Sequence, residues 1–194
     1  MQRIILTYGL IAGIIVGIPL FVMGTLMAEN PPSGAVGMAI GYLIMLVAFI
    51  AIFAGVKQHR DHHRGGVVRF LPAFGLGVAI ALIASLVYVL AWEAVLAVNG
   101  DDFIGRMAAQ LIAEERASGA SAAEIAALSE QMAQMREYYA NPLLRLLITL
   151  SEILPIGLLV ALISALLLRN PRFMPSAPPA TSHDNGPETS PMGP

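Results

Sequence analysis

The chain has 194 residues, of which 57% are hydrophobic and only 12% charged, and its formal net charge is −2. Water-soluble domains carry about 25% charged residues, so this composition leaves too little polar surface for a soluble globule and indicates a membrane protein. The charge balance excludes a global basic field of the kind that attracts nucleic acid. The chain contains no cysteine, which excludes disulfides, thiolate metal ligands and cysteine nucleophiles.

Four apolar stretches are long enough to cross a bilayer core, which takes about 20 residues. We predict membrane helices at about 4–28, 34–56, 70–98 and 143–168. The first stretch is longer than the apolar region of a signal peptide and lacks a small-residue cleavage pattern, so we expect an uncleaved helix. A cleaved signal is the alternative. The four stretches predict an all-α, four-helix transmembrane bundle within a membrane domain at 1–170.

Basic residues are distributed unevenly between the predicted loops. The loop between the second and third spans carries four Lys or Arg residues against a single Asp, and three further Arg residues lie near the two termini. The long segment between the third and fourth spans carries seven acidic residues against three Arg. Because Lys and Arg concentrate on the cytoplasmic side, we predict a multi-pass protein of the bacterial inner (plasma) membrane with both termini cytoplasmic.

The segment at 101–140 is predicted to form an extracytoplasmic amphipathic helical hairpin between the third and fourth spans. Asp101 and Asp102 offer caps for its first helix, and Ser118–Gly119 ends that helix. The run at 121–124 has the pattern of a capping box that begins a second helix. This second helix carries an apolar seam at the spacing that packs against one partner helix. The seam consists of Ile125, Leu128, Met132, Met135 and Tyr139.

The residues at 171–194 are rich in Pro, Ser, Thr and Gly and almost lack large apolar side chains. Such a segment cannot bury enough surface to offset the entropy of ordering its backbone. We therefore predict a disordered, Pro-rich tail.

Three stretches, taken in order, resemble a known family. They are GVKQHRDHHRGGVVRFLPAFGLGVAIALIASLVYVLAWE from Gly55, the acidic hairpin ending in YYANPL, and TLSEILPIGLLVALISALLLRN from Thr149. Together they resemble the bacterial integral membrane family catalogued as domain of unknown function 4199. The resemblance implies a four-helix inner-membrane protein and implies no activity. The positions that carry it are Gly65, Gly66, Phe70, Glu152, Pro155 and Gly157.

A few polar residues within the spans form a candidate site. Glu152 lies nine residues beyond Leu143, about 13 Å along a helix at 1.5 Å per residue. An ionised carboxylate at that depth costs at least about 2.5–3.5 kcal/mol, so we expect it to face the bundle interior or a polar pocket. Arg145 lies two turns earlier on nearly the same face, and Glu93 is expected at a comparable depth. Two interpretations stay open: a proton- or ion-responsive site, or a buried ion pair that fixes helix register.

Pro155 follows Glu152 by three residues and removes a backbone donor, which predicts a kink in the fourth span. The kink is compatible with a site lined by free backbone groups and equally with a purely structural bend.

The basic loop contains three histidines, His59, His62 and His63, which have metal-ligand side chains. Lys57 and two arginines surround them and oppose a cation. We therefore predict no metal site, and favour attraction of this loop to anionic lipid headgroups.

Glycines recur at a spacing of four in the first span, at Gly9, Gly13 and Gly17. This spacing allows close approach of two helices, and we predict packing within the bundle rather than between two copies of the chain.

No arrangement of a catalytic triad, paired metal carboxylates or a nucleotide loop is found, so we expect no enzyme and no cofactor. The leading hypothesis is a small accessory or protein-interaction component that binds a membrane or periplasmic protein through the apolar seam. The alternative is a small transporter or channel subunit that uses the intramembrane carboxylate of Glu152. Because four helices seldom enclose a transport pathway alone, this alternative predicts a homo-oligomer.

Overall fold

The computed structural model describes residues 1–27, 34–100 and 102–175, and all regular structure in this part of the chain is helical. Four of the helices are long and apolar enough to cross a membrane, so the all-α, multi-pass prediction is confirmed. The helices are α1 (Gln2–Leu26), α2 (Gly34–His63), α3 (Phe70–Asn99), α4 (Phe103–Ala117), α5 (Ala122–Ala140) and α6 (Pro142–Leu168). The four long, apolar ones are α1, α2, α3 and α6.

The four long helices form a bundle in which successive spans alternate in direction, so that α1 and α3 run parallel. Helix α3 packs against α1 and α6, and α2 packs against the same two helices, so α2 and α3 lie on one diagonal of the bundle. Helices α4 and α5 form the hairpin, which leaves the bundle after α3 and returns into α6. We call the end of the bundle that carries α4 and α5 the hairpin end, and the end that carries the α2–α3 loop the loop end.

The glycine stripe of α1 packs against α3, which confirms the prediction of packing within the bundle. A Cβ atom at Gly9 would lie 2.6 Å from the side chain of Ile83, and one at Gly13 would lie 2.5 Å from that of Val87. Any larger residue at these two positions would therefore force the helices apart. The backbones of α1 and α3 approach closely because these glycines have no side chains.

The core is densest toward the loop end of the bundle. Among its fully buried side chains are Phe49, Ile52, Val56, Leu76, Ile80 and Leu168. Helix α2 continues through this end to His63, beyond the predicted boundary at residue 56. The charged residues after Val56 remain helical because Lys57 and Arg60 both bond the carboxylate of Asp61.

The predicted signals are confirmed at the end of α4 and at the start of α5. The Ser121 hydroxyl accepts a bond from the Glu124 amide, and the Glu124 carboxylate accepts one from the Ser121 amide at 2.7 Å. Helix α4 ends at Ala117, and Gly119 follows with φ +90°. Asp102 occupies the N-cap position of α4 without capping it, because its carboxylate accepts a bond from Arg136 at 2.7 Å instead. The predicted cap Asp101 lies outside the described residues.

The first residues after α6 pack against the bundle. Phe173 meets Phe53 edge to face, with ring centroids 6.4 Å apart. The segment predicted to be disordered therefore includes a few residues, 171–175, that return to the loop end of the bundle. The remainder of that segment, 176–194, lies outside the described residues.

Candidate functional site

Two of the three polar residues predicted as one site form an ion pair. The guanidinium of Arg145 on α6 bonds both carboxylate oxygens of Glu93 on α3, at 2.7 Å from Nε and 2.5 Å from Nη2. The remaining nitrogen, Nη1, donates to the backbone carbonyl of Tyr139 at 3.1 Å. One arginine therefore ties α3 and α6 to the last turn of α5. The geometry is that of a bidentate clamp, which fixes orientation as well as charge.

Glu152 is separate from this ion pair. Its carboxylate accepts a hydrogen bond at 3.4 Å from the hydroxyl of Tyr88, a buried residue of α3. We expected the carboxylate in the bundle interior or a polar pocket. Glu152 is not in the interior but exposed at the edge of α6, where it contacts the Tyr88 hydroxyl. The reason is helical phase, because the neighbouring residues Thr149 and Ile153 occupy the interior-facing positions.

Pro155 does not interrupt α6, which is continuous from Pro142 to Leu168. Two residues further on, Gly157 permits close packing, since a Cβ there would lie 3.0 Å from Ala81 and 3.2 Å from Phe49. This part of α6 therefore serves contact between three membrane helices.

The apolar seam of α5 is only half covered. None of its five residues is buried, and no residue of α5 as a whole is buried. Two polar contacts hold the C-terminal half of α5: the Arg136–Asp102 pair, exposed on both sides, and the bond from Arg145 to the Tyr139 carbonyl. Helix α5 also contacts α4 along the hairpin. The seam thus presents an apolar strip along a helix that stands outside the bundle.

Three aromatic rings join the hairpin to the bundle. Trp92 of α3 meets Phe103 of α4 and Tyr139 of α5, both in tilted edge-to-face geometry, with ring centroids 6.0 Å and 6.5 Å apart. Burial raises the pKa of the Tyr139 phenol above its ordinary value of 10, so the hydroxyl stays neutral. Because these rings and the Arg145 clamp meet at one point, the base of the hairpin is better fixed than its tip.

A partly open cavity of about 880 Å³ lies between α1, α2, α3 and α4 at the hairpin end. Its deep part is lined by apolar residues and by Tyr88, and its mouth by Asn99 and Arg106. From Tyr88 to Asn99 is eleven residues, about 16 Å along the helix axis. The cavity is partly open, and most of the residues that line it belong to the membrane spans.

At the loop end, one arginine has become part of the core. The side chain of Arg60 is fully buried and donates to the Asp61 carboxylate and to the backbone carbonyls of Phe173 and Met174, at 2.7, 2.8 and 2.5 Å. We predicted that the basic loop contacts lipid headgroups; for Arg60 that expectation is wrong, because its charge is satisfied within the chain.

The three histidines do not gather around a metal position. Neither ring nitrogen of the buried His59 has a hydrogen-bond partner, and its ring stacks on that of His63 with centroids 5.5 Å apart. No group of three potential metal ligands occurs within residues 1–27, 34–100 and 102–175.

Sequence reasoning missed Tyr88, Arg106 and the structural role of Arg60. A signal for the first was present, since Tyr88, Trp92 and Asn99 recur at spacings of four and seven and so share one face of α3. The cavity had no signal of its own, because it depends on how far α2 stands from α3 at the hairpin end.

The fold and these sites define a polytopic helical membrane protein with a four-helix bundle and an amphipathic hairpin. A model of the family described as protein of unknown function (DUF4199) matches residues 7–170. The chain belongs to this family, as the resemblance implied. No curated protein and no solved structure matches the chain.

Proposed function

We propose that this protein is an accessory component of the bacterial inner membrane that binds a second membrane or periplasmic protein through the apolar seam of α5. The observation that supports this proposal is that an amphipathic helix of 19 residues has no buried residue. An apolar strip that its own chain covers only halfway is typical of a binding surface. A helix that packs through such a strip is a common mode of recognition.

The charges beside the seam are of both signs. Glu124 and Arg136 flank it by helical phase, whereas Glu130 and Glu137 lie on the opposite face of α5. Arg136 is paired with Asp102. We therefore propose that the partner binds chiefly through an apolar helical surface.

The proposal is tested by photo-crosslinking from Met132 in native membranes, with Gln134 on another face of α5 as the control position. We expect a discrete adduct from Met132 with one other protein, formed through an apolar segment of that protein. The control position should give none. Self-adducts alone, or equal adducts from both positions, would contradict the proposal.

A pair of substitutions provides the second arm of this test. Leu128→Lys places a charge on the seam, while Ala127→Lys places the same charge on an exposed neighbouring position. We expect the first to abolish the Met132 adduct and the second to leave it. Loss in both variants would mean that general charge, not the seam, governs the contact.

The proposed orientation, with both termini in the cytoplasm, has its own test. The chain has no cysteine, so a single introduced thiol is the only reactive one. A Ser118→Cys variant should react with an impermeant reagent from outside the cell, and a Ser176→Cys variant should not. The reverse pattern would contradict the orientation.

One observation favours the transport alternative. Tyr88 lines the cavity and also donates to the carboxylate of Glu152, so a single hydroxyl connects the two. If the protein moves protons or ions, Glu152→Gln should abolish flux in reconstituted vesicles while the protein still folds. Unchanged phenotype in cells, with the α5 adduct intact, would remove this alternative.

A further inference from the structure

We propose that the cavity between α1, α2, α3 and α4 binds one acyl chain of an anionic phospholipid, whose headgroup contacts Arg106 at the mouth. This site goes beyond the interaction proposed for α5, because the seam contributes no residue to it.

The deep lining of the cavity calls for an apolar occupant. Val16, Leu20, Ile44 and Met45 line it from α1 and α2, and each belongs to a membrane span. The polar groups deeper than Asn99 are few: the Tyr88 hydroxyl, which already bonds Glu152, and the indole nitrogen of Trp92. A membrane supplies acyl chains at the same depth, so an acyl chain is the occupant that the surroundings provide.

The wall of the cavity has room for a side chain at Gly41, but the chain has none there. A Cβ atom at Gly41 would meet nothing within 4 Å, whereas one at Gly24 on the opposite wall would lie 2.6 Å from Val95. Glycine at 41 is therefore not required for helix packing. It leaves room on the α2 wall for something that is not part of the chain.

The mouth of the cavity offers a positive charge that is held in place. Arg106 is exposed and donates from Nη2 to the backbone carbonyl of Asn99 at 2.8 Å. The Asn99 amide in turn donates to the carbonyls of Gly24 and Val95, which fixes this position between α1 and α3. A guanidinium has five N–H donors, so several remain for a phosphate.

The carboxylate of Glu114, further along α4, is engaged by other groups. Glu114 accepts bonds from the Gln110 side chain at 3.2 Å and from the Gly34 amide at 3.4 Å. Arg106 is the only charged residue among the described residues that line the cavity. An anionic headgroup with its chain in the cavity therefore matches both the apolar depth and the basic mouth.

The test uses the full-length protein in phosphatidylcholine vesicles that contain a minor fraction of phosphatidylglycerol with a diazirine in one acyl chain. A parallel sample carries the same chain on phosphatidylcholine. After illumination, adducts are mapped by peptide mass spectrometry. We expect labelling at Leu20, Ile44 and Met45. The anionic lipid should give about fivefold more labelling than phosphatidylcholine, because that is the gain in affinity that one arginine contributes at an anionic membrane surface.

Two matched pairs of variants sharpen the result. Gly41→Leu should fill the cavity and remove the labelling, while Gly75→Leu, also at a site with nothing within 4 Å but outside the cavity, should leave it. Arg106→Gln should remove the preference for the anionic lipid, while Arg116→Gln at the far end of α4 should preserve it.

A competition experiment with unlabelled lipids tests the proposal on the wild-type protein. Unlabelled phosphatidylglycerol should displace the label from the wild-type protein more effectively than unlabelled phosphatidylcholine. Equal labelling of cavity and outer surfaces, with no effect of either lipid as competitor, would show general lipid contact only and would overturn the proposal.

Discussion

The loop end and the hairpin end of this bundle differ in how completely their side chains are packed. At the loop end even a guanidinium, that of Arg60, is fully buried and has three acceptors. At the hairpin end a cavity of about 880 Å³ remains, and α5 has no buried residue. Regions with few buried contacts open at low free energy and are used for binding. The comparison indicates that the loop end stabilises the bundle, and it supports the proposal that the hairpin end is used for binding.

The largest effect is expected at Arg60. Arg60→Met leaves the Asp61 carboxylate with Lys57 alone and leaves the carbonyls of Phe173 and Met174 without a donor. Removing one partner from a buried charged network costs about 3–5 kcal/mol. The free energy of unfolding, measured by denaturant titration in mixed micelles, should fall by this amount.

Arg64→Met is the control for that measurement, because Arg64 is exposed just after the end of α2. It should change the free energy of unfolding by less than about 0.5 kcal/mol. If both variants lost equal stability, the buried network would not be what stabilises the loop end.

The next largest loss in the free energy of unfolding is expected for glycine-to-leucine substitution between α1 and α3, compared with the same substitution at the cavity. Gly13→Leu forces a side chain against Val87 and should destabilise the protein by about 2 kcal/mol, as overpacking does. Gly41→Leu meets open space and should cost less than about 0.5 kcal/mol. The same unfolding titration checks both. A larger loss at Gly41 would break the distinction between the two regions.

A smaller effect is expected at the base of the hairpin. Glu93→Gln replaces the charged partner of Arg145, and because the pair is only partly buried we expect a loss of about 1 kcal/mol. Hydrogen exchange should rise locally in the last turn of α5, where Arg145 bonds the Tyr139 carbonyl. Glu137→Gln, on the exposed surface, should leave this exchange unchanged.

The smallest effect concerns acid pH at the start of α5. Bonds from the Ser121 amide first, and from the Ser121 side chain second, lower the pKa of Glu124 below its ordinary value of 4.5. The added stability of this helix start is therefore present above pH 4.5 and is lost as the pH falls through the lowered pKa. Carboxyl NMR titration should show the pKa of Glu124 rising in a Ser121→Ala variant. A pKa of Glu124 at its ordinary value in the unsubstituted protein would contradict the capping box.

Much of the fold could be predicted from the sequence because its signals are local. Long uncharged runs set the four spans, and the Ser121–Glu124 pattern and Gly119 set the hairpin boundaries. The end of α2 was predicted too early because charged residues after Val56 looked like a loop. Their charges are satisfied by Asp61 and by carbonyls more than a hundred residues away, which no local pattern reveals.

The candidate site could be predicted only in part. The spacing of Arg145 and Glu152 on one helix suggested a common site, but pairing across helices depends on the relative rotation of α3 and α6. That rotation brings Glu93 to Arg145 and Tyr88 to Glu152. The sequence specifies which residues are polar, whereas only the packed bundle specifies which of them meet.

The claim that the α5 seam binds a partner is tested most directly by the accessibility of single thiols in native membranes and in purified protein. We predict that a Met132→Cys variant reacts slowly with a water-soluble alkylating reagent in native membranes and faster after purification. A Glu137→Cys variant should react equally in both. Equal and rapid reaction of the Met132→Cys thiol in native membranes would contradict the claim, because it would show the seam uncovered where its partner should be.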